Sequence, residues 1–310
     1  MRKIFILIIS VALLAFSSCK EENKKIRIGV LPVIDTLPLV VAQSENIFKE
    51  AGVDVELVNF NSALERDAAL ASGNLDGQFC DLVAALLQMK SGVDIKIVLE
   101  SYHTSPDNIV FALLASPNSQ IKTIGDIGNN EVAISIGSVI EYFLDRILLS
   151  NNLDPSKVKR VEVKAIPVRM QMLMSDSLKL ALLPEPLASK AIKGGAKLIA
   201  DDRKLDTSAT VIVFKKDFIE KNLLVLSKFL IAYNRAVEKI NKNSESYKDL
   251  MVSKINFPVD LKESYKIPFY KSAALPSERD IKMVNDWLQQ KGMISQTLDY
   301  KSITWFPEKL

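Results

Sequence analysis

Val53-Asp54-Val55-Glu56-Leu57-Val58 alternates apolar and polar side chains, the two-residue spacing of a β-strand buried on one face. It starts at Gly52, which stops a helical pattern over 37–51, and leads to a second helical pattern over 63–72 that stops at Gly73. Glycine accepts the left-handed backbone on which many helices end, so both stops have a physical basis. Upstream, the apolar run 26–31 reads as a strand. Downstream, 75–80 and 95–99 give two more, with Asp81 at the N-cap position of a helix over 82–90 that ends at Gly92. Strands alternating with helices of this length imply a mostly parallel sheet with helices on both faces.

A second series follows. Strands are expected at 132–136, 160–163, 178–183 and 197–200, and helices at 141–150, 168–174 and 187–193. The two series echo each other: Arg66, Leu70, Ser72, Leu75 and Asp81 recur 103 positions later as Arg169, Leu173, Ser175, Leu178 and Pro184. Two lobes on one plan are therefore expected, with the β-rich segments 109–114 and 209–214 crossing between them as a hinge. The remainder, helical over 217–222, 224–241, 247–255 and 278–291, is expected to pack on the first lobe. The division is a signal at 1–18, a tether at 19–25, a first lobe of 26–108 with 209–310, and a second lobe of 109–208.

Ahead of the first strand, Arg2 and Lys3 precede an apolar run over 4–16, and Ser17-Ser18 lead into Cys19. A basic start, a short apolar segment and small residues at a cut site form an export signal. The run is shorter than the roughly 20 residues that a bilayer-spanning helix needs. The ending resembles a bacterial lipoprotein box, which implies lipid on Cys19 and an extracytoplasmic protein held on a membrane; an ordinary secretory signal is the competing reading. Of the two cysteines in 310 residues, that leaves Cys80 as a buried free thiol with no disulfide partner. Lys and Arg number 40 against 37 Asp and Glu, and no basic stripe stands out, so nucleic acid is not an expected partner. A monomer is expected.

In open α/β sheets ligands bind beyond the carboxyl ends of the strands, where helix N-termini offer free N–H groups. That rule collects Asp35 and Thr36, Ser62, Asp81 and Tyr102 from the first lobe, and Gly137, Ser138 and Glu185 from the second. Ser62 and Ser138 can donate or accept while capping helices. Asp35, Asp81 and Glu185 accept only, which suits amine or amide donors on a ligand. Tyr102 is placed to stack on a flat ligand, and His103 beside it is the sole histidine. Asp81 and Glu185 stand at helix starts, which favour the ionised form, so neither is expected to have a raised pKa. Their other reading is plain helix capping. No G-x-S-x-G elbow, GxxxxGK[ST] loop or H-E-x-x-H pair is present, so no catalytic residue, metal or cofactor is assigned.

Ile28-Gly29-Val30-Leu31-Pro32, Pro38-Leu39, Ala42-Gln43, 48–55 and Leu75-Asp76-Gly77 together resemble the alkanesulfonate, nitrate and thiamine-pyrimidine-precursor group of solute-binding proteins for ABC importers. The segment Leu182-Leu183-Pro184-Glu185-Pro186-Leu187-Ala188 is similar to a recurrent feature of that group. The resemblance implies a type II periplasmic-binding-protein fold, α/β with two lobes closing on a small molecule for delivery to an ABC permease. It points to Asp35, Thr36, Ser62, Asp81, Gly137, Ser138 and Glu185 as ligand-binding positions. A nitrogen-containing or aromatic solute is favoured, with sulfonate or nitrate possible. An extracytoplasmic enzyme using the same cleft, and a ligand-sensing lipoprotein without a transporter, are the alternatives.

Overall fold

The computed structural model describes residues 25–308; the export signal, Cys19 and all of the tether but Lys25 lie outside the described residues. Two five-stranded sheets organise the chain. The first contains β1 (Ile26–Val30), β2 (Val55–Asn59), β3 (Gly77–Asp81), β4 (Ile95–His103) and, from far along the chain, β10 (Ser208–Lys215). The second contains β5 (Phe111–Ala115), β6 (Val132–Ile134), β7 (Arg160–Glu162), β8 (Leu180–Pro184) and β9 (Lys197–Asp201). Their strand orders, β2-β1-β3-β10-β4 and β7-β6-β8-β5-β9, are the same plan used twice. Within each, the first three strands run parallel, while β10 and β5 run antiparallel to both of their neighbours. The sheets are thus mixed rather than simply parallel.

The helices that cover them are α1 (Leu37–Ser44), α2 (Ile47–Glu50), α3 (Ala63–Ala71), α4 (Leu82–Lys90), α5 (Val139–Ser150), α6 (Ile166–Met174), α7 (Leu187–Lys193), α8 (Lys216–Lys221), α9 (Leu223–Lys242), α10 (Lys248–Ile255), α11 (Glu278–Gln290) and α12 (Tyr300–Ile303). One expected helix over 37–51 is two, because Asn46 adopts the left-handed conformation (φ 58°) between α1 and α2. Asparagine tolerates that region better than most side chains. The kink turns Phe48 to stack on Phe229 of α9 at 5.3 Å. The buried face of α9, Leu226, Phe229, Leu230, Tyr233, Val237 and Ile240, follows helical spacing and seats that helix on the first lobe. In β3, Gly77 is required by close approach: a Cβ there would lie 2.7 Å from both the Phe214 ring and the Val213 carbonyl of β10.

The segments expected to cross between lobes are instead interior strands of the two sheets. The first β-rich stretch supplies β5 and the second supplies β10. The crossings are the short pieces 104–110 and 202–207 just before them. They are stitched side by side: Thr104 N–H donates to the Thr207 carbonyl, Thr207 N–H returns to Thr104 Oγ1, both at 2.9 Å, and Val110 N–H donates to Asp202 Oδ1 at 3.0 Å. Each lobe gains its antiparallel strand where the chain arrives from the other. The tail also departs from expectation: α9 and α10 pack on the first lobe, but α11 lies against α4 and reaches α5 of the second as well.

The repeated residues occupy matching places. Arg66 and Arg169 are both buried in α3 and α6, and Ser72 and Ser175 are their C-caps. Asp81 and Pro184 end β3 and β8.

Candidate functional site: a cavity between the sheets

At the carboxyl ends of β1, β3, β6 and β8 a cavity of about 280 Å³ opens between the two sheets. Its wall is largely apolar: Val33, Ile34, Phe79, Val110, Phe111, Ile140 and Ile166 contribute. Phe111 is held against Phe143 of α5, with ring centroids 4.1 Å apart. Four of the residues singled out in the sequence meet here: Asp35 and Asp81 from the first lobe, Ser138 and Glu185 from the second.

Each carboxylate is set by its backbone. Asp35 lies in the single 3₁₀ turn after β1, buried, with Oδ2 accepting from Thr210 Oγ1 at 3.0 Å and its carbonyl taking Ser101 Oγ at 2.9 Å. Asp81 caps α4, Oδ1 accepting from Ala84 N–H at 2.8 Å. Glu185 precedes α7 across a cis bond to Pro186 and accepts from Ser189 Oγ at 2.7 Å and Ser189 N–H at 3.4 Å. Ser138 caps α5 through Ile140 N–H at 3.2 Å.

The expectation that helix starts keep Asp81 and Glu185 at ordinary pKa values is wrong. Burial pushes Glu185 up to about 7, with the two Ser189 hydrogen bonds opposing. Asp81 is also raised by burial, against the Ala84 hydrogen bond and the Arg66 charge. Asp35 is pushed up to about 6 by burial, against the Thr210 hydroxyl. A helix N-terminus contributes only a partial charge, whereas lost hydration is felt in full.

The other named residues are placed elsewhere. Thr36 is buried with its hydroxyl donating to the Val33 carbonyl at 2.7 Å, so it stiffens the turn that carries Asp35. Ser62 caps α3 through Glu65 N–H at 3.3 Å. Gly137 (φ +73°) gives its N–H to Glu141 Oε2 at 2.8 Å, which shapes the loop in front of Ser138. Tyr102, expected beyond a strand end, lies inside β4, which runs four residues further than its apolar pattern, and it is buried without lining the cavity. Cys80 is buried and unpaired, its thiol pushed up to about 12 by burial.

Sequence reasoning missed three polar lining residues. Arg66 reaches the wall from α3, its guanidinium bound through Nε and Nη2 to Asp67 Oδ1 at 2.9 and 2.7 Å. Thr210 and Ser135 supply hydroxyls, and Ser135 accepts from the buried Arg169 at 3.1 Å. The repeat had already paired Arg66 with Arg169, but no local signal says that a helical arginine points inward.

His103 belongs to the crossings rather than the cavity. Nδ1 lies 2.8 Å from Glu100 and Nε2 lies 2.9 Å from Asp206. Burial alone lowers its pKa, but the Glu100 hydrogen bond and charge, helped by Asp206, raise it overall. Glu100, His103 and Asp280 bring one metal-ligating atom each within 4.8 Å of one another. Ser208 already donates to Glu100, and Thr207 and Ser277 donate to Asp280, so these carboxylates already hold hydrogen bonds that join β4, β10 and the start of α11 at the crossings.

Two mixed sheets, doubly crossed, with a cavity between them at the strand ends, are the periplasmic-binding-protein fold. The chain belongs to the NMT1-like family, whose model matches residues 19–253. A curated relative from Escherichia coli (strain K12), named for binding aliphatic sulfonates, is 18% identical over 299 residues, 94% of this chain and 92% of the relative. The crystal structure of the periplasmic aliphatic sulphonate binding protein SsuA from Escherichia coli superposes with a TM-score of 0.78 at 18% identity, covering 92% of this chain and 93% of that one. The alkanesulfonate-binding protein SsuA from Xanthomonas axonopodis pv. citri, bound to MOPS, gives 0.76 at 16% identity over 91% of this chain and 98% of its own.

Proposed function

We propose that this chain is an extracytoplasmic solute receptor of an ABC importer, anchored through lipid on Cys19, that presents a captured small molecule to a permease. Its lobes would be 26–108 with 209–310 and 109–208, closing about the paired crossings. The observation that carries the reading is the cavity itself, to which each lobe contributes a buried acidic side chain, Asp35 from one and Glu185 from the other, above an apolar wall. A site completed only when both halves meet lets a ligand shift an open–closed equilibrium through its differential affinity for the closed form. The names of the relatives add support for solute binding.

The side chains favour a ligand with an apolar or aromatic body and amine or amide donors. Three carboxyls face the space, and the guanidinium of Arg66 is already engaged by Asp67. A bare oxyanion would meet repulsion where an ammonium or amidine would restore ionisation to Asp35 and Glu185. A thermal-shift screen against thiamine precursors, aromatic amines, taurine and nitrate tests this. Stabilisation by the nitrogen compounds is expected; stabilisation by taurine or nitrate alone overturns the ligand class. An enzyme in the same cleft would need a nucleophile or a proton relay. Cys80 and the only histidine lie outside the cavity, which leaves the carboxyls of Asp35, Asp81 and Glu185 and the hydroxyls of Ser135, Ser138 and Thr210 as the groups such chemistry would have to use. Recovery of the bound compound unchanged after prolonged incubation is expected, and turnover would overturn the receptor reading.

A further inference from the structure

Outside the cavity wall, the first two turns of α5 carry two side chains that the binding site does not use. Glu141 and Asp145 are both only 5% exposed. One oxygen of Glu141, Oε2, holds the cavity loop by accepting from Gly137 N–H at 2.8 Å. The other, Oε1, accepts from Lys291 Nζ at 2.5 Å. Lys291 directly follows α11, which packs against α4 of the first lobe. The same ammonium lies 2.9 Å from Asp145 Oδ2, which also accepts from Trp287 Nε1 at 2.9 Å. Asp145 Oδ1 takes Arg160 Nη2 of the second lobe at 2.5 Å. The Trp287 ring meets Tyr142 edge-on at 5.4 Å.

The charge balance of this cluster depends on both lobes. Within the second lobe, two buried carboxylates share one cation, Arg160. Only when α11 is seated does Lys291 bring the count to two against two. Withdrawing one partner from a buried ion cluster leaves an uncompensated charge, which is far costlier than losing an exposed pair. Separation of α11 from α5 therefore leaves Glu141 one partner short. The oxygen that holds Gly137 is then exposed to competition from water.

We propose that Lys291 and Trp287 latch α11 of the first lobe onto the second. Glu141 is the positioning residue that passes the seating of this latch to the Gly137–Ser138 loop of the cavity. The arrangement acts before any ligand arrives and is independent of which ligand the cavity takes.

Hydrogen exchange on the full chain, without ligand, tests it. Lys291→Met should speed exchange of amides 137–142 by about tenfold, the loss expected when a charge-assisted hydrogen bond is removed. Small-angle scattering should show a larger radius of gyration. Lys291→Arg, which keeps the cation, should retain most of the protection. Lys239→Met, which removes an exposed pair with Glu45 inside the first lobe, should change neither readout. Should Lys291→Met fail to fold, Lys291→Gln serves with the same criteria. Unchanged protection at 137–142 in a folded Met or Gln variant overturns the proposal. So does a uniform rise in exchange across the whole chain.

Discussion

At the scale of single residues, the cavity is governed by how burial treats its carboxyls. Asp35 and Glu185 are pushed up to about 6 and about 7, and Asp202 at the crossings to about 7, each mainly by burial. A carboxyl whose folded pKa lies above its unfolded value adds stability at low pH that is lost as pH rises through the folded value. The ligand-free protein is therefore expected to melt higher near about pH 5 than near about pH 8, as scanning calorimetry would show. Glu185→Gln keeps an acceptor for Ser189 and removes the ionisable group. It should flatten that profile and raise stability near about pH 8 by on the order of 1–3 kcal/mol. A profile as steep as that of the wild type would show that Glu185 is not among the groups responsible. A cationic ligand would reverse the trend for binding, tightening as Glu185 and Asp35 ionise between about pH 5 and 8, which titration calorimetry at several pH values measures. Asp81 has two separable tasks. Asp81→Ala removes the α4 cap and should cost about 1 kcal/mol, whereas Asp81→Ser keeps a capping oxygen at little cost. If both variants lose ligand equally, the carboxylate is a contact and not merely a cap.

Among the elements, the helix starts and stops were the most legible. The glycine at 52, the Asp81 cap and the apolar–polar alternation at 53–58 gave the helical stretch 37–51, α3, α4 and β1 to β3 within a few residues. Those signals are local, so a linear reading finds them. The break at Asn46 escaped because apolar periodicity continues across it. β4 was cut short at 99 because Glu100, Ser101 and His103 look like loop residues, although the strand continues to His103. Their polarity is used inward: Ser208 and His103 satisfy Glu100, and Ser101 reaches Asp35. Strand β3 shows what a glycine in a motif is for. Gly77→Ala would force a methyl group into the Phe214 ring and the Val213 carbonyl of β10. It should destabilise by about 1–3 kcal/mol in chemical denaturation, and a neutral result would mean that β3 and β10 can separate freely.

For the whole molecule, the repeat of 103 residues reported two halves, and the sheets share one strand order. What it could not report is the exchange of strands, in which β5 and β10 each insert antiparallel beside β8 and β3. The consequence is mechanical. Each crossing leaves the edge strand of one sheet, β4 or β9, and enters an interior strand of the other, β5 or β10, so each is held at one end by a strand paired on both sides. Thr207→Val would delete the hydroxyl that donates to Asp280 at 3.0 Å, leaving a buried acceptor short of a partner. A loss of about 1–3 kcal/mol in stability is expected, with faster exchange confined to 202–210; exchange unchanged there would remove Thr207 from the hinge.

The order and kind of the elements, the doubling of the plan and the strand-end positions of Asp35, Asp81, Ser138 and Glu185 were set by the sequence alone. Hydrophobic period, caps and glycine stops act between residues a few positions apart. Only the tertiary structure decided that Tyr102 turns into the core, that Arg66 lines the wall, that burial outweighs the helix starts at Glu185, and that α11 reaches α5. Those outcomes depend on distances between groups far apart in the chain and on how much water packing removes, and neither quantity exists until the two sheets come together.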